Sequence, residues 1–171
     1  MTRRPEVGDV FTVPTGDGRA GVGQVVGRYG KDAYFFVIFD GTIPLDEAGD
    51  RAREIVSNRV QFIALSLDAK IHAGQWTVVA QAPVDPSVPL PAYKEAVGVP
   101  PRYEIVDYSG TRRRPATMDE VTAVPNRKVV APVRLERALK ATLGIEPWLD
   151  AFDDLVVGNG ITTDDAFGAE R

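Results

Sequence analysis

The chain has 171 residues, 44% of them apolar and 26% charged, which suffices for one domain with a real core. Twenty Lys and Arg stand against 24 Asp and Glu, a net charge of −4 that argues against a polyanion, and so against nucleic acid, as the partner of the whole chain. There is no cysteine, which excludes a disulfide framework, a cysteine zinc site and a cysteine nucleophile.

Met1-Thr2-Arg3-Arg4-Pro5-Glu6 carries two arginines but leads into no apolar run of signal-peptide length. No stretch reaches the apolar length of a membrane helix. The expectation is an unprocessed cytoplasmic protein without membrane contact.

The first element is a β-hairpin. Val10, Thr12 and Pro14 alternate with Phe11 and Val13, and Val22, Gln24 and Val26 alternate with Gly23, Val25 and Gly27. Gly16-Asp17-Gly18 supplies residues that tolerate the positive φ of a tight corner. After a second turn at Tyr29-Gly30-Lys31-Asp32, residues 33–39 are aromatic or β-branched at nearly every position. They predict a central strand buried on both faces. Asp40-Gly41-Thr42 ends it.

Residues 43–57 allow a short helix or a charged excursion, and Gly49 weakens the helix. Strands follow at 60–67 and 76–81. Pro83, Pro86, Pro89 and Pro91 then keep the chain extended and out of any central strand. Residues 103–108 alternate as a strand. Arg112-Arg113-Arg114 is a basic run, and Thr117-Met118-Asp119-Glu120 has the form of a capping box.

Pro132 stands where a first helical residue would, opening a helix over 133–143 that Gly144 ends. Leu135 and Leu139 share a face, and Glu136 and Lys140 form a favourable i,i+4 pair. A last helix is predicted from Glu146-Pro147. Trp148, Leu149, Phe152, Leu155 and Val156 fall in one arc, with Asp150, Asp153 and Asp154 opposite. Residues 1–160 are expected to form a single domain and 161–171 a flexible tail. The fold class is α+β: a curved antiparallel sheet, or a partly open SH3-like barrel, with the C-terminal helices packed on it.

Residues that could carry chemistry are sparse. His72 is the one histidine, in a turn, with no histidine or cysteine to share a metal, and no Gly-x-Ser-x-Gly elbow accompanies it. Gly21-Val22-Gly23-Gln24-Val25-Val26-Gly27 misses the dinucleotide-binding spacing and lies in a strand pattern, so its glycines read as places where the strand bends or a neighbour comes close. No cofactor, metal or catalytic residue is assigned. Carboxylates are numerous enough to keep a carboxylate hydrolase as a third reading. Residues 102–140 carry nine Lys/Arg and five Asp/Glu, whereas residues 143–171 carry one Arg and seven Asp/Glu. The simplest account is that the two regions offset each other. Arg112, Arg113 and Arg114 would be the contact of a small β-barrel module binding RNA or DNA.

Gly8-Asp9-Val10-Phe11, Val13-Pro14, Asp17-Gly18-Arg19 and Gly21-Val22-Gly23-Gln24-Val25 resemble the N-terminal signature of the immunity protein 26 family of bacterial polymorphic toxin systems. Ala20 and Val22 stand where that pattern has aromatic residues. Gly74-Gln75-Trp76-Thr77-Val78-Val79 resembles the family's Trp-containing strand, and Pro89-Leu90-Pro91 to Tyr93 its proline-rich connector. Pro132 to Lys140 and Trp148 to Leu155 resemble its C-terminal helices. The resemblance implies a cytoplasmic immunity protein that binds a cognate toxin, often a nuclease, and neutralises it by protein–protein contact at the active site or at an exosite. No catalytic residue comes with it. An acidic surface would steer a basic nuclease into contact, and the candidate contacts are Asp17, Asp32, Asp40, Asp150, Asp153 and Asp154.

Overall fold

A computed structural model describes residues 3–169; Met1 and Thr2, and the Glu170-Arg171 end of the expected tail, lie outside the described residues. In chain order the strands and helices are β1 (Asp9–Pro14), β2 (Arg19–Tyr29), β3 (Ala33–Pro44), α1 (Ala48–Ile55), β4 (Val60–Leu67), α2 (Ala69–His72), β5 (Thr77–Gln81), β6 (Tyr93–Val97), β7 (Arg102–Val106), β8 (Arg113–Pro115), α3 (Met118–Ala123), α4 (Pro132–Thr142) and α5 (Thr163–Phe167). Short 3-10 turns occupy Leu45–Glu47 and Asp150–Leu155. The class is α+β, as the patterning predicts.

The described chain divides into two compact units. The larger holds the residues up to Val88 together with Val129–Val157, and the smaller holds Pro89–Lys128 and the residues from Gly158 on. The larger unit is a five-stranded antiparallel sheet of order β4-β3-β2-β1-β5. β4 and β5 are its two edges, so the sheet is open and not closed into a barrel.

The opening glycines shape this sheet. The β2–β3 register slips between Gly21 and Gly23 and again between Val25 and Gly27, and such bulges bend and twist a strand. Phe11 fills the space over Gly23, and Leu139 of α4 that over Gly21. At the β1–β2 corner Gly16 and Gly18 both take φ of 86°, which side chains disfavour.

Residues 33–39 of β3 are buried throughout. Tyr34, Phe36 and Ile38 face a cluster formed with Phe11, Trp76, Phe62, Leu135, Leu139, Phe152 and Leu155. α1 packs against β1, β2, β3 and β5. It forms despite Gly49, which stands in its exposed first turn. α4 follows its sequence signals: Pro132 sits in its first turn, Leu135, Ala138 and Leu139 are buried, and Gly144 takes φ of 74° beyond its end. Lys70 and Lys140 both reach Glu136, at 2.8 and 3.6 Å.

The last helix is corrected. Residues 150–155 form a 3-10 turn, preceded by an extended Leu149 and followed by an extended Val156. Val156 forms a bridge to Phe62, and the Val157 amide donates to the Gln61 carbonyl at 3.3 Å. Pairing with the edge of β4 therefore ends the helical backbone after six residues.

The smaller unit is a three-stranded antiparallel sheet, β6-β7-β8, around Ala92, Ile105 and Val124. α3 has the predicted capping box, with Thr117 and Glu120 side chains capping each other's amides. The described part of the expected tail is folded. Pro91 bridges to Thr162, α5 carries its own capping box, and Ile161, Ala166 and Phe167 pack on the small core.

Candidate functional site

Asp17 sits at the β1–β2 corner, where Arg19 donates to it at 2.8 and 2.5 Å and the Thr15 hydroxyl at 2.6 Å. The Arg19 bonds foremost, and then Thr15, hold its carboxyl well below the usual range. Asp32 lies in the β2–β3 turn, 3.4 Å from Arg4. The two are at opposite ends of β2, about 35 Å apart along the strand at the usual rise per residue. Asp40 lies late in β3, 3.8 Å from Arg59, and its carbonyl accepts from the Asn58 amide at 2.8 Å. The fold does not gather these three into a site, and each stands beside an arginine.

Asp150, Asp153 and Asp154 do come together, all exposed on the 3-10 turn. Asp153 meets an aromatic side chain, Trp148, that the helical arc assigns to the core. Trp148 is 41% exposed, and Ile145 and Leu149 beside it are 41% and 38% exposed. The indole N–H donates to the Asp153 carboxylate at 2.8 Å. The ring stacks on Phe62 at 6.1 Å and meets Phe152 edge-on at 5.4 Å. Phe152 and Leu155 are the buried members of the arc. Trp148 and Leu149 are thus the candidate contact residues that helical periodicity misplaces. The signal was present in Pro147, which stands just before Trp148 in a segment dense with acids.

Arg112, Arg113 and Arg114 are engaged within the smaller unit. Arg112 lies 3.6 Å from Asp107, and Arg113 reaches Glu95 at 2.7 Å and Glu104 at 3.5 Å. Arg114 donates twice to Glu120, at 2.9 and 2.7 Å. Arg112 and Arg114 also lie over the Phe167 ring at 5.2 and 5.7 Å. A phosphate would have to compete with a carboxylate at each one. Arg112 and Arg114 thus pair with acids inside 102–140, and Arg113 with Glu104 inside that stretch and Glu95 outside it. Arg137 also pairs outside it, with Glu146 at 3.1 Å.

His72 ends α2. Among the described residues no group of three or more His, Cys, Asp or Glu is placed to hold a metal ion. Nor, among them, is any helix long and apolar enough to cross a membrane. No family model, curated protein or solved structure matches the chain.

Proposed function

We propose that this chain is an immunity protein, which binds a cognate bacterial toxin domain, with a nuclease as the candidate class, and neutralises it in the cytoplasm by protein–protein contact. The observation that carries the reading is the meeting of Phe11 with Trp76. Phe11 belongs to the opening signature, the specific motif of the resemblance, and Trp76 to the segment that resembles the family's Trp-containing strand. Their rings stack 5.2 Å apart and nearly parallel, at 4°.

The other signature residues have matching structural roles. Asp9 is buried and accepts from Arg3 at 2.9 Å and from the Glu6 amide at 2.9 Å. Gln24 is buried and donates to the Ala82 carbonyl at 2.8 Å. Gly23 receives Phe11. These residues build the scaffold of the larger unit, and on this reading partner choice falls to the exposed surface.

The test is co-expression with the toxin domain encoded by the neighbouring reading frame. Rescue of growth and co-purification of a stable complex are the expected results. Continued lethality alongside folded protein, or no complex, overturns the reading. Salt-sensitive binding to RNA or DNA, lost when Arg112, Arg113 and Arg114 are changed together to alanine, would favour a nucleic-acid module instead.

A further inference from the structure

The chain leaves the larger unit after Val157 and enters the smaller through Gly158-Asn159-Gly160. All three residues are exposed and lie outside any helix or strand. Both ends of the crossing are tied. The Val157 amide donates to the Gln61 carbonyl at 3.3 Å, and the Ile161 carbonyl accepts from the Ala92 amide at 3.1 Å. Asparagine is a thermolabile residue, and the residue after it decides how readily it converts, because the attacking atom is the next backbone nitrogen. A side chain there crowds that nitrogen. Asn159-Gly160 is the chain's only Asn-Gly pair. Even a Cβ built on Gly160 would meet nothing within 4 Å, so the loop has space for a ring to form.

We propose that Asn159 is a site of spontaneous deamidation, and that its isoaspartyl product loosens α5. The Gly160 nitrogen attacks Cγ of Asn159. The Cγ–Nδ2 bond breaks, and ammonia leaves with the proton of the Gly160 amide. Water then opens the five-membered succinimide. Its attack at Cγ gives aspartate, and its attack at the main-chain carbonyl gives isoaspartate, whose backbone runs through Cβ. Either product adds a negative charge to residues 150–165, which hold five aspartates and no Lys or Arg. Isoaspartate also adds a main-chain atom between the two tied residues. The larger unit holds its end through the Val156–Phe62 bridge and the buried Phe152 and Leu155. The smaller holds its end through α5 on a less extensive core, so release falls there. The other two asparagines are placed differently. Asn58 precedes Arg59, and its side-chain amide donates to the Asp40 carbonyl at 2.8 Å. Asn126 precedes Arg127 and is bridged to Lys94 of β6.

The test incubates the full chain at mildly alkaline pH, where more of the attacking nitrogen is deprotonated. Conversion is followed by peptide mass mapping and by a methyltransferase specific for isoaspartate. Asn159 is expected to convert while Asn58 and Asn126 stay intact. Gly160→Ala fits the open space and the ordinary φ of that position. It is expected to stay unconverted over the time in which half of the unmodified chain converts. Conversion at Asn159 no faster than at the other two, or unaltered by Gly160→Ala, overturns the site. In the isolated isoaspartyl form the amides of Thr163, Ala166 and Gly168, all hydrogen-bonded in the unconverted chain, are expected to exchange faster, with those of β1 to β4 unchanged. Equal exchange at the three amides overturns the loosening and shows that the two glycines take up the added atom. Neither result depends on the immunity reading.

Discussion

Gly23 has no room for a side chain. A Cβ there would stand 2.6 Å from the Val37 carbonyl oxygen and against the Phe11 ring. Neither can withdraw, because Val37 is central backbone and Phe11 is stacked on Trp76. At Gly21 the obstacle is only the end of the Leu139 side chain, which can rotate. Gly23→Ala should therefore cost about 3 kcal/mol and Gly21→Ala about 1 kcal/mol. Urea titrations of the two variants check this, and equal costs would show that Phe11 and Val37 yield more readily than their packing implies. A second residue-scale prediction concerns acid. The two Arg114 bonds foremost, and the Thr117 amide after them, hold the Glu120 carboxyl down at about 2 against an ordinary 4.5. A carboxylate depressed in the folded state adds stability that is present above its unfolded pKa and is lost as pH falls through the folded one. The pair is partly open to solvent, with side chains 33% and 20% exposed, so the contribution is about 1 kcal/mol. Glu120→Gln should melt below the unmodified chain at pH 7, with the gap closing between pH 4.5 and 2. A gap that stays constant over that range would contradict the linkage.

Elements were legible where local chemistry decided them. α4 has a proline in its first turn, leucines four apart and a terminating glycine, and α3 has its capping box; both signals lie within a few residues. The hairpin and the doubly buried β3 were legible for the same reason. The 3-10 turn was not, because its end is set by Val156 and Val157 pairing with β4, almost a hundred residues earlier in the chain. That lost pairing also misplaced Trp148, since a full α-helix would have carried it to the core side with Phe152. β6 was hidden by the prolines before it and by Lys94 and Glu95 within it. Its pairing partner β7 is joined to it through the proline-bearing turn Gly98-Val99-Pro100-Pro101. α5 carries a capping box, Thr162 with Asp165, as local as that of α3, but what ties it to the sheet is Thr163, whose contacts lie far off in sequence. Thr163 donates to the Pro91 carbonyl at 2.9 Å and accepts from the Tyr108 amide at 3.0 Å. These contacts make α5 a part of the small core, with Phe167 between that core and two arginines. Phe167→Ala should loosen the smaller unit by about 2 kcal/mol, seen as faster amide exchange in β6, β7 and β8. Unchanged exchange there would mean that α5 adds nothing to the sheet it covers.

At the scale of the whole molecule, chain order and spatial order diverge. The chain passes between its two units after Val88, after Lys128 and after Val157. The larger unit therefore takes α4 and the 3-10 turn from residues well beyond its sheet, and the smaller takes α5 from the end of the chain. The first crossing falls in the proline-rich stretch Pro83 to Pro91 and the third is followed by Gly158-Asn159-Gly160, but nothing in the composition around Lys128 marks the second, so the sequence does not show that the chain returns. The two units differ sharply in what they bury. The larger has strands covered on both faces and an aromatic cluster built on Phe11, Phe36, Phe62 and Trp76. The smaller gathers Ala92, Ile105 and Val124 and also buries Tyr93 and Val106, a less extensive apolar set. Apolar burial is the main favourable term in folding, so the smaller unit should open first, by local rather than global unfolding. Both tryptophans of the chain, Trp76 and Trp148, belong to the larger unit. Tryptophan fluorescence thus follows the larger unit alone, while amide exchange in β6 to β8 follows the smaller. In a denaturant series the β6 to β8 amides should lose protection at concentrations where the fluorescence is still that of the folded protein. Coincident loss of both signals would show a single cooperative unit and would place the stability of the small sheet outside its own core.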